Sequence, residues 1–570
     1  MKAGTASSLH GRVGRRLMLL GAGGFGALIA TVLLITGNAL ILIWVIGSVV
    51  VTRLVLHVNV DRLLPLVVFF TFALDNPAEQ PYTDKWSPVW NAVSEVWFNN
   101  IRKTIPGTLL PLSPLLLILI ACSVRALSSA RNRGSDTTTA HLRRAGAMSF
   151  AALAAVETWG VVTGGSIDTS VRQAAWLVAV PLVAVGVTVA SRSSHRLIHR
   201  LELAVITGAL FKALVAIYGY QTVIKSALDD PITYSKLGAP IPPPEYLSTH
   251  SDSVLWAWAL LLLGGYWLEG RRKGSLLTIA VVGSPIMLAI VWNDRRTTWV
   301  GLGGAFVFSL ALARPVLKRQ IRQFLTVTWP LMVGYVVVGW VANSPVFAPV
   351  KAIKSVFSSS DESNITRDAE NLNLIITSRA RPLIGFGFGH PYIEAVRSFD
   401  ISGSLVEYRF IPHNSLLGLF AFAGPIGFLG FWSIVVVAVT LCVRAYRMLP
   451  VGRSGASVAT RVRAGWAVGG LILYSIQSWA DIGLQSPYPA LIAGLCCGIA
   501  GAAIRDAHAI RDHPLVGADL ARGPCDTAQS VAEFRAGDSI LRPEPRGSSI
   551  PGVSAPPTRP RSRGGRSPAR

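Results

Sequence analysis

Residues 412–432 read PHNSLLGLFAFAGPIGFLGFW, a polar start at Pro412-His413-Asn414-Ser415 that opens straight into an apolar run carrying Gly424, Gly427 and Gly430. The segment leading to it contains Arg379, Arg381 and the run Gly385-Phe386-Gly387-Phe388-Gly389. From Leu416 on the stretch suits lipid. It therefore places a histidine and several arginines at the mouth of a membrane span. Polar groups at that depth are costly and usually functional.

The apolar character extends along most of the chain. Of 570 residues, 51% are hydrophobic and 15% charged, against about 25% charged in soluble domains; the mean hydropathy is +0.48. Apolar residues come in long blocks, without 3.6- or 2-residue alternation, and runs of about 20 such residues are membrane spans. The blocks predict spans at 17–36, 38–56, 62–75, 106–123, 146–164, 173–190, 201–220, 254–269, 275–292, 297–313, 324–342, 413–440, 464–482 and 486–504. The expected fold is an all-α polytopic integral membrane protein of about 12–14 transmembrane helices with one large outer loop.

Charge tests the set, because Lys and Arg gather in cytoplasmic loops. With Arg12, Arg15 and Arg16 inside, every even-numbered connection is basic, from Arg53 and Arg62 to Arg444, Arg447, Arg453, Arg461 and Arg463. Both termini then lie in the cytoplasm. The short 62–75 span is retained, tilted or thinning the bilayer, because omitting it puts the Arg-rich 124–144 segment outside. The organisation expected is a basic N-terminus (1–16), eleven spans (17–342), a large outer loop (343–412), three last spans (413–504) and a basic tail (505–570). The tail, rich in Pro, Gly, Ser and Arg, cannot bury a core. The formal +23 charge is accounted for by the inside loops and the tail, which suit anionic lipid; no folded module for specific nucleic-acid binding accompanies it. Cys122, Cys442, Cys496, Cys497 and Cys525 form no C-x-x-C pair or zinc spacing and read as small hydrophobes.

Four outer segments carry the functional question. Trp86, Trp90 and Trp97 in 76–105 are spaced for an interfacial amphipathic helix, either an anchor or a wall for a sugar. The Pro-rich 221–253 segment reads as a lid or spacer. Asn293-Asp294-Arg295-Arg296-Thr297-Thr298-Trp299 sets two arginines against the charge bias. Either Asp294 pairs with one of them, or they form an anion site, since guanidinium offers fixed planar donors to phosphate. In 343–412, residues 364–377 have helix character with Ser363 or Asn364 as N-cap, and the Gly385–Gly389 run reads as a tight turn of close approach. His413, fixed by Pro412 and beside Asn414, is placed to take a proton from a sugar hydroxyl, with Asn414 holding the imidazole or that hydroxyl. No second His or paired carboxylates at metal spacing stand beside it in sequence, so neither a metal site nor a cofactor is expected.

At Arg296-Thr297-Thr298-Trp299, Arg367, Pro382 to Gly389, and His413 to Gly430 the chain resembles the O-antigen ligase and polymerase superfamily of bacterial envelope glycosyltransferases. The resemblance implies a GT-C-like membrane fold and a metal-independent, inverting transfer at the outer face of the cytoplasmic (inner) membrane. The donor it implies is a glycan on a polyprenyl pyrophosphate; the acceptor is a glycan or lipid-linked glycan, with other polysaccharide assembly proteins as partners. It also implies Arg296 and Arg367 as pyrophosphate ligands, with Arg295, Arg379 and Arg381 sharing that work, and His413 as general base or acceptor-orienting group. Polymerase is favoured over ligase. A lipid-linked glycan transporter is the rival of another class; it calls for charges along a central cavity and an internal repeat, of which only Glu157, Glu202 and Lys212 offer a trace.

Overall fold

The computed structural model describes residues between Gly47 and Asp512, with breaks of which the longest are 77–87, 102–111, 131–138, 225–232, 242–247, 271–276, 355–361 and 398–408. The predicted spans 17–36 and most of 38–56, Trp86, Asp294, Cys525 and the tail beyond Asp512 lie outside the described residues. The chain is an all-α polytopic membrane protein. Its helices, in order, are α1 (Val60–Ala73), α2 (Pro88–Phe98), α3 (Pro114–Ala130), α4 (Ala140–Val162), α5 (Ile167–Ser193), α6 (Arg196–Gly219), α7 (His250–Gly270), α8 (Ser284–Asn293), α9 (Arg296–Leu312), α10 (Pro315–Val341), α11 (Glu362–Ala380), α12 (Ser415–Met448), α13 (Gly455–Ala480) and α14 (Pro487–Asp512). A two-residue antiparallel pair, Thr233–Tyr234 with Pro240–Ile241, is the strand structure among the described residues.

Among the described residues, five helices, α4, α5, α6, α12 and α14, are long and apolar enough to cross a membrane. The short 62–75 span is α1, whose 14 residues rise about 21 Å. α14 runs on to Asp512 instead of ending at 504, and α11 starts at Glu362, so Ser363 and Asn364 fall inside its first turn. α2 forms where the Trp spacing predicts a helix, but it is an inward-packed element: Trp97 Nε1 donates to Thr71 on α1 (3.2 Å) and Phe98 packs on Tyr488.

α14 is the axis of the bundle, buried along its apolar length. In lipid, helices gain little from apolar burial against each other, so small residues that permit close approach decide the packing. Gly494 and Gly498 do this against α5: a Cβ there would come within 2.8 and 2.5 Å of Val183 and Val187 Cβ.

α12 is broken at Gly424, which is non-helical at φ 59° and is followed by Pro425. Proline has no N–H to return to the carbonyl four residues back, which is that of Ala421. The glycine run repairs the break. Phe386 N–H donates to Ala421 O (3.3 Å) and Gly387 N–H to Phe422 O (2.8 Å), while Trp159 Nε1 on α4 donates to Gly385 O (3.2 Å). Gly387 has φ 83°, and a Cβ on it would sit 2.2 Å from Gly160 Cα. The expected tight turn of close approach is thus a backbone thread wedged between α4 and the broken α12. Irregular backbone at membrane depth survives only where protein satisfies it.

The two ends of the bundle are both polar. At one, the start of α6 and α13 and the ends of α7, α12 and α14 bring together Glu202, Arg463 and Tyr266, and beside them Glu269, Arg461 and Tyr446. At the other lie the turns ahead of α7, α9, α12 and α14.

Candidate active site

The second end gathers side chains that the sequence holds far apart. Glu370 on α11 is buried, and its carboxylate accepts from the backbone N–H of His413 at 3.2 Å through each oxygen. Its Oε2 also lies 3.3 Å from His413 Nδ1. A carboxylate only accepts, so Nδ1 carries the proton and Nε2 is the basic nitrogen. Neither His413, which precedes α12, nor Asp481, which follows α13, belongs to a spanning helix. His250 opens α7 ahead of the 254–269 span.

The hydrogen bond to Glu370 and the negative charges of Glu370 and Asp481 hold His413 above the ordinary imidazole pKa, against burial and the nearby Arg367. Asp481 is pushed up by burial, but His250, His413 and Arg367 outweigh that and hold it below the usual carboxylate range. His250 faces Asp481, with Nδ1 3.6 Å from Oδ2, and its Nε2 accepts from Arg295 at 2.7 Å. Burial and the positive charge of Arg295 push its pKa down to about 4. The two histidines are therefore poised differently: His250 is a neutral acceptor for Arg295, and His413 is held above the ordinary imidazole value.

Arg367, on the same face of α11 as Glu370 by its three-residue spacing, acts electrostatically on His413, His250 and Asp481. Arg295 also donates to Ser248 O (3.1 Å). Arg296 begins α9, and next to it Thr297 donates to Gln477 (3.3 Å), whose amide donates to Asp481 (3.1 Å). Arg379 is exposed at the end of α11. Arg381 lies 4.9 Å over the Phe386 ring and 6.0 Å from that of Trp159, against the glycine thread. Asn414 does not hold the imidazole. Its Oδ1 caps α12 at Leu417 N–H (3.1 Å) and its Nδ2 donates to Asn371 (2.9 Å). Ser415 Oγ donates to Ser478 O and Asp481 O (2.9 and 3.0 Å) and accepts from Leu484 N–H (3.1 Å). So in His-Asn-Ser, Asn414 is a cap and Ser415 a clamp on the turn bearing Asp481.

Glu370, Asp481 and His250 are site residues that the sequence reading missed. Only Glu370 had a local signal, its i,i+3 spacing from Arg367. Among the described residues, no group of three or more His, Cys, Asp or Glu side chains is placed to hold a metal ion.

The arrangement can remove a proton at His413 Nε2 and stabilise negative charge at the adjacent arginines. Residues 277–432 match the family model described as O-Antigen ligase. That segment contains Arg295, Arg296, Arg367, Glu370 and His413, whereas His250 and Asp481 lie outside it. None of the curated proteins matches the chain.

Proposed function

As a member of the O-antigen ligase and polymerase superfamily, the chain is a multi-pass membrane protein of glycan transfer, and we propose that it transfers a polyprenyl-pyrophosphate-linked glycan to an acceptor hydroxyl. The reaction takes place at the outer face of the cytoplasmic membrane, with both termini inside. Polymerisation of an O-antigen or exopolysaccharide repeat is the favoured form. The observation that carries the reading is the grip of Glu370 on His413, which leaves Nε2 basic beside Arg367.

The acceptor O–H gives its proton to His413 Nε2 and its oxygen bonds to the anomeric carbon from the face opposite the leaving group. The anomeric C–O bond to phosphate breaks and the polyprenyl pyrophosphate departs with the electron pair. Its growing charge is met by Arg367 and Arg296. Arg295, whose guanidinium holds His250 and Ser248 O, braces this arm. No step calls on a cofactor.

Product analysis in cells tests the proposal, comparing wild type and His413→Ala at equal membrane abundance. A polymerase variant loses long chains and accumulates single lipid-linked repeats. If long chains persist on the carrier and only their final attachment fails, the chain is a ligase. An unchanged profile overturns the catalytic role of His413.

A further inference from the structure

Lys212 sits on α6 at membrane depth, 1% exposed. A buried ammonium needs counter-charges and acceptors. Lys212 has them in Asp75, Leu74 O (2.9 Å) and Asp252 Oδ1 (3.5 Å), with the Tyr488 hydroxyl 3.5 Å away. One carboxylate would balance its charge. The second belongs to the first turn of α7, and that carboxylate faces two ways. Through Oδ2, Asp252 accepts from Ser248 Oγ and from Thr249 N–H (3.4 Å).

The turn gripped in this way is the one that reaches the site. Ser248 O accepts from Arg295, and His250, two residues on, accepts from the same guanidinium and faces Asp481. Asn293 fastens the turn from the other side, accepting from Ser248 N–H (2.6 Å) and donating to Thr249 O (3.0 Å). An unbroken series of contacts therefore joins a charge buried between α1, α6 and α7 to the arginine arm of the site. The catalytic reading makes no use of this ion pair.

We propose that the Lys212–Asp252 pair is a positioning device: it fixes the 248–250 turn on which Arg295 and His250 are braced, and through them the donor-binding arm. This rests on the proposed donor role of that arm. Asp252→Asn is the informative variant, because it leaves Lys212 balanced by Asp75 and so spares the fold. It is expected to raise donor KM about tenfold with kcat within about threefold of wild type, the signature of lost binding at the arm. Hydrogen exchange at the amides of 248–250 should speed up while that of α14 stays unchanged.

A double variant with Arg295→Ala decides the route. If the pair works through Arg295, Asp252→Asn adds nothing to donor KM once Arg295 is gone; independent effects would multiply. Multiplying effects, or a donor KM untouched by Asp252→Asn, overturn the positioning role and leave the donor reading standing. A donor KM untouched by Arg295→Ala alone overturns both this proposal and the bracing role given to Arg295.

Discussion

The two polar ends of the bundle use the same residue types to opposite effect. At the end built from Glu202, Glu269, Arg461 and Arg463, charges close on themselves. Glu202 accepts from Arg463 (2.7 Å), Tyr266 (3.1 Å) and His199 (3.3 Å), and Glu269 from Arg461 (2.9 Å) and Tyr446 (2.7 Å). Each carboxylate has a guanidinium and a phenol, and both its oxygens are used. At the other end, carboxylates face histidines: Glu370 turns toward His413, and Asp481 lies between His413 and His250. Arg295 there meets imidazole and carbonyl oxygen. Pairing Arg with Glu neutralises a buried charge and locks helices together. Pairing His with Glu sets a tautomer and a pKa, which is what proton transfer needs.

If that contrast is right, the two ends fail differently. His413→Ala should lower turnover about 10³-fold, within the range of a lost general base, with membrane abundance unchanged; comparable turnover would erase the distinction. Arg463→Ala should do the reverse. Leaving Glu202 buried without its cation costs about 3–5 kcal/mol, read as a lowered melting temperature, while turnover per folded molecule stays near wild type. Arg367→Ala and Arg296→Ala are each expected to impair donor KM or turnover by about 10²–10³-fold, the scale of one lost charge-stabilising contact. An effect confined to acceptor kinetics would move those arginines to the acceptor side.

Glu370→Gln sharpens the contrast through pH. The carboxylate holds His413 above its ordinary value of 6.5, and a base works only when unprotonated. In the wild type, kcat/KM should therefore rise with pH through an inflection above 6.5. In the variant that inflection should move down; an unmoved one would mean another group titrates. The sign for stability is opposite: the raised His413 pKa stabilises the fold below the unfolded value and that contribution fades as pH rises through the folded one. The smallest effect is expected from deleting 515–570, with glycan yield in cells essentially unchanged; loss of yield from a well-inserted truncation would give the tail a role.

Every span predicted from 62–75 onward overlaps a described helix, because lipid demands long apolar blocks and the sequence cannot hide them. Boundaries were less legible. α14 outruns its apolar block because Arg505 contacts Ser191 on α5 (3.3 Å), so packing continues where hydropathy stops. In the site, His413 and Arg367 could be read from the sequence, and the structure brings both together. Asp481 could not be read, since a pair of helices separates it from His413 and no periodic pattern links them. That Asn414 caps α12 was not legible for a plain reason: an Asn preceding an apolar run is as good a helix cap as it is a substrate ligand.

The glycine thread also bears on how the protein is made. As α12 leaves the insertion machinery, its break at Gly424 carries the carbonyls of Ala421 and Phe422 into hydrocarbon without their usual helical partners. Those partners reside in residues 385–389, ahead of α12 in the chain, and α4 forms the opposing wall. The break in α12 is therefore completed by residues 385–389, which are synthesised before it. Gly387→Ala, whose Cβ would meet Gly160, should stall the chain at that stage and lengthen its exposure to membrane proteases in a pulse-chase experiment.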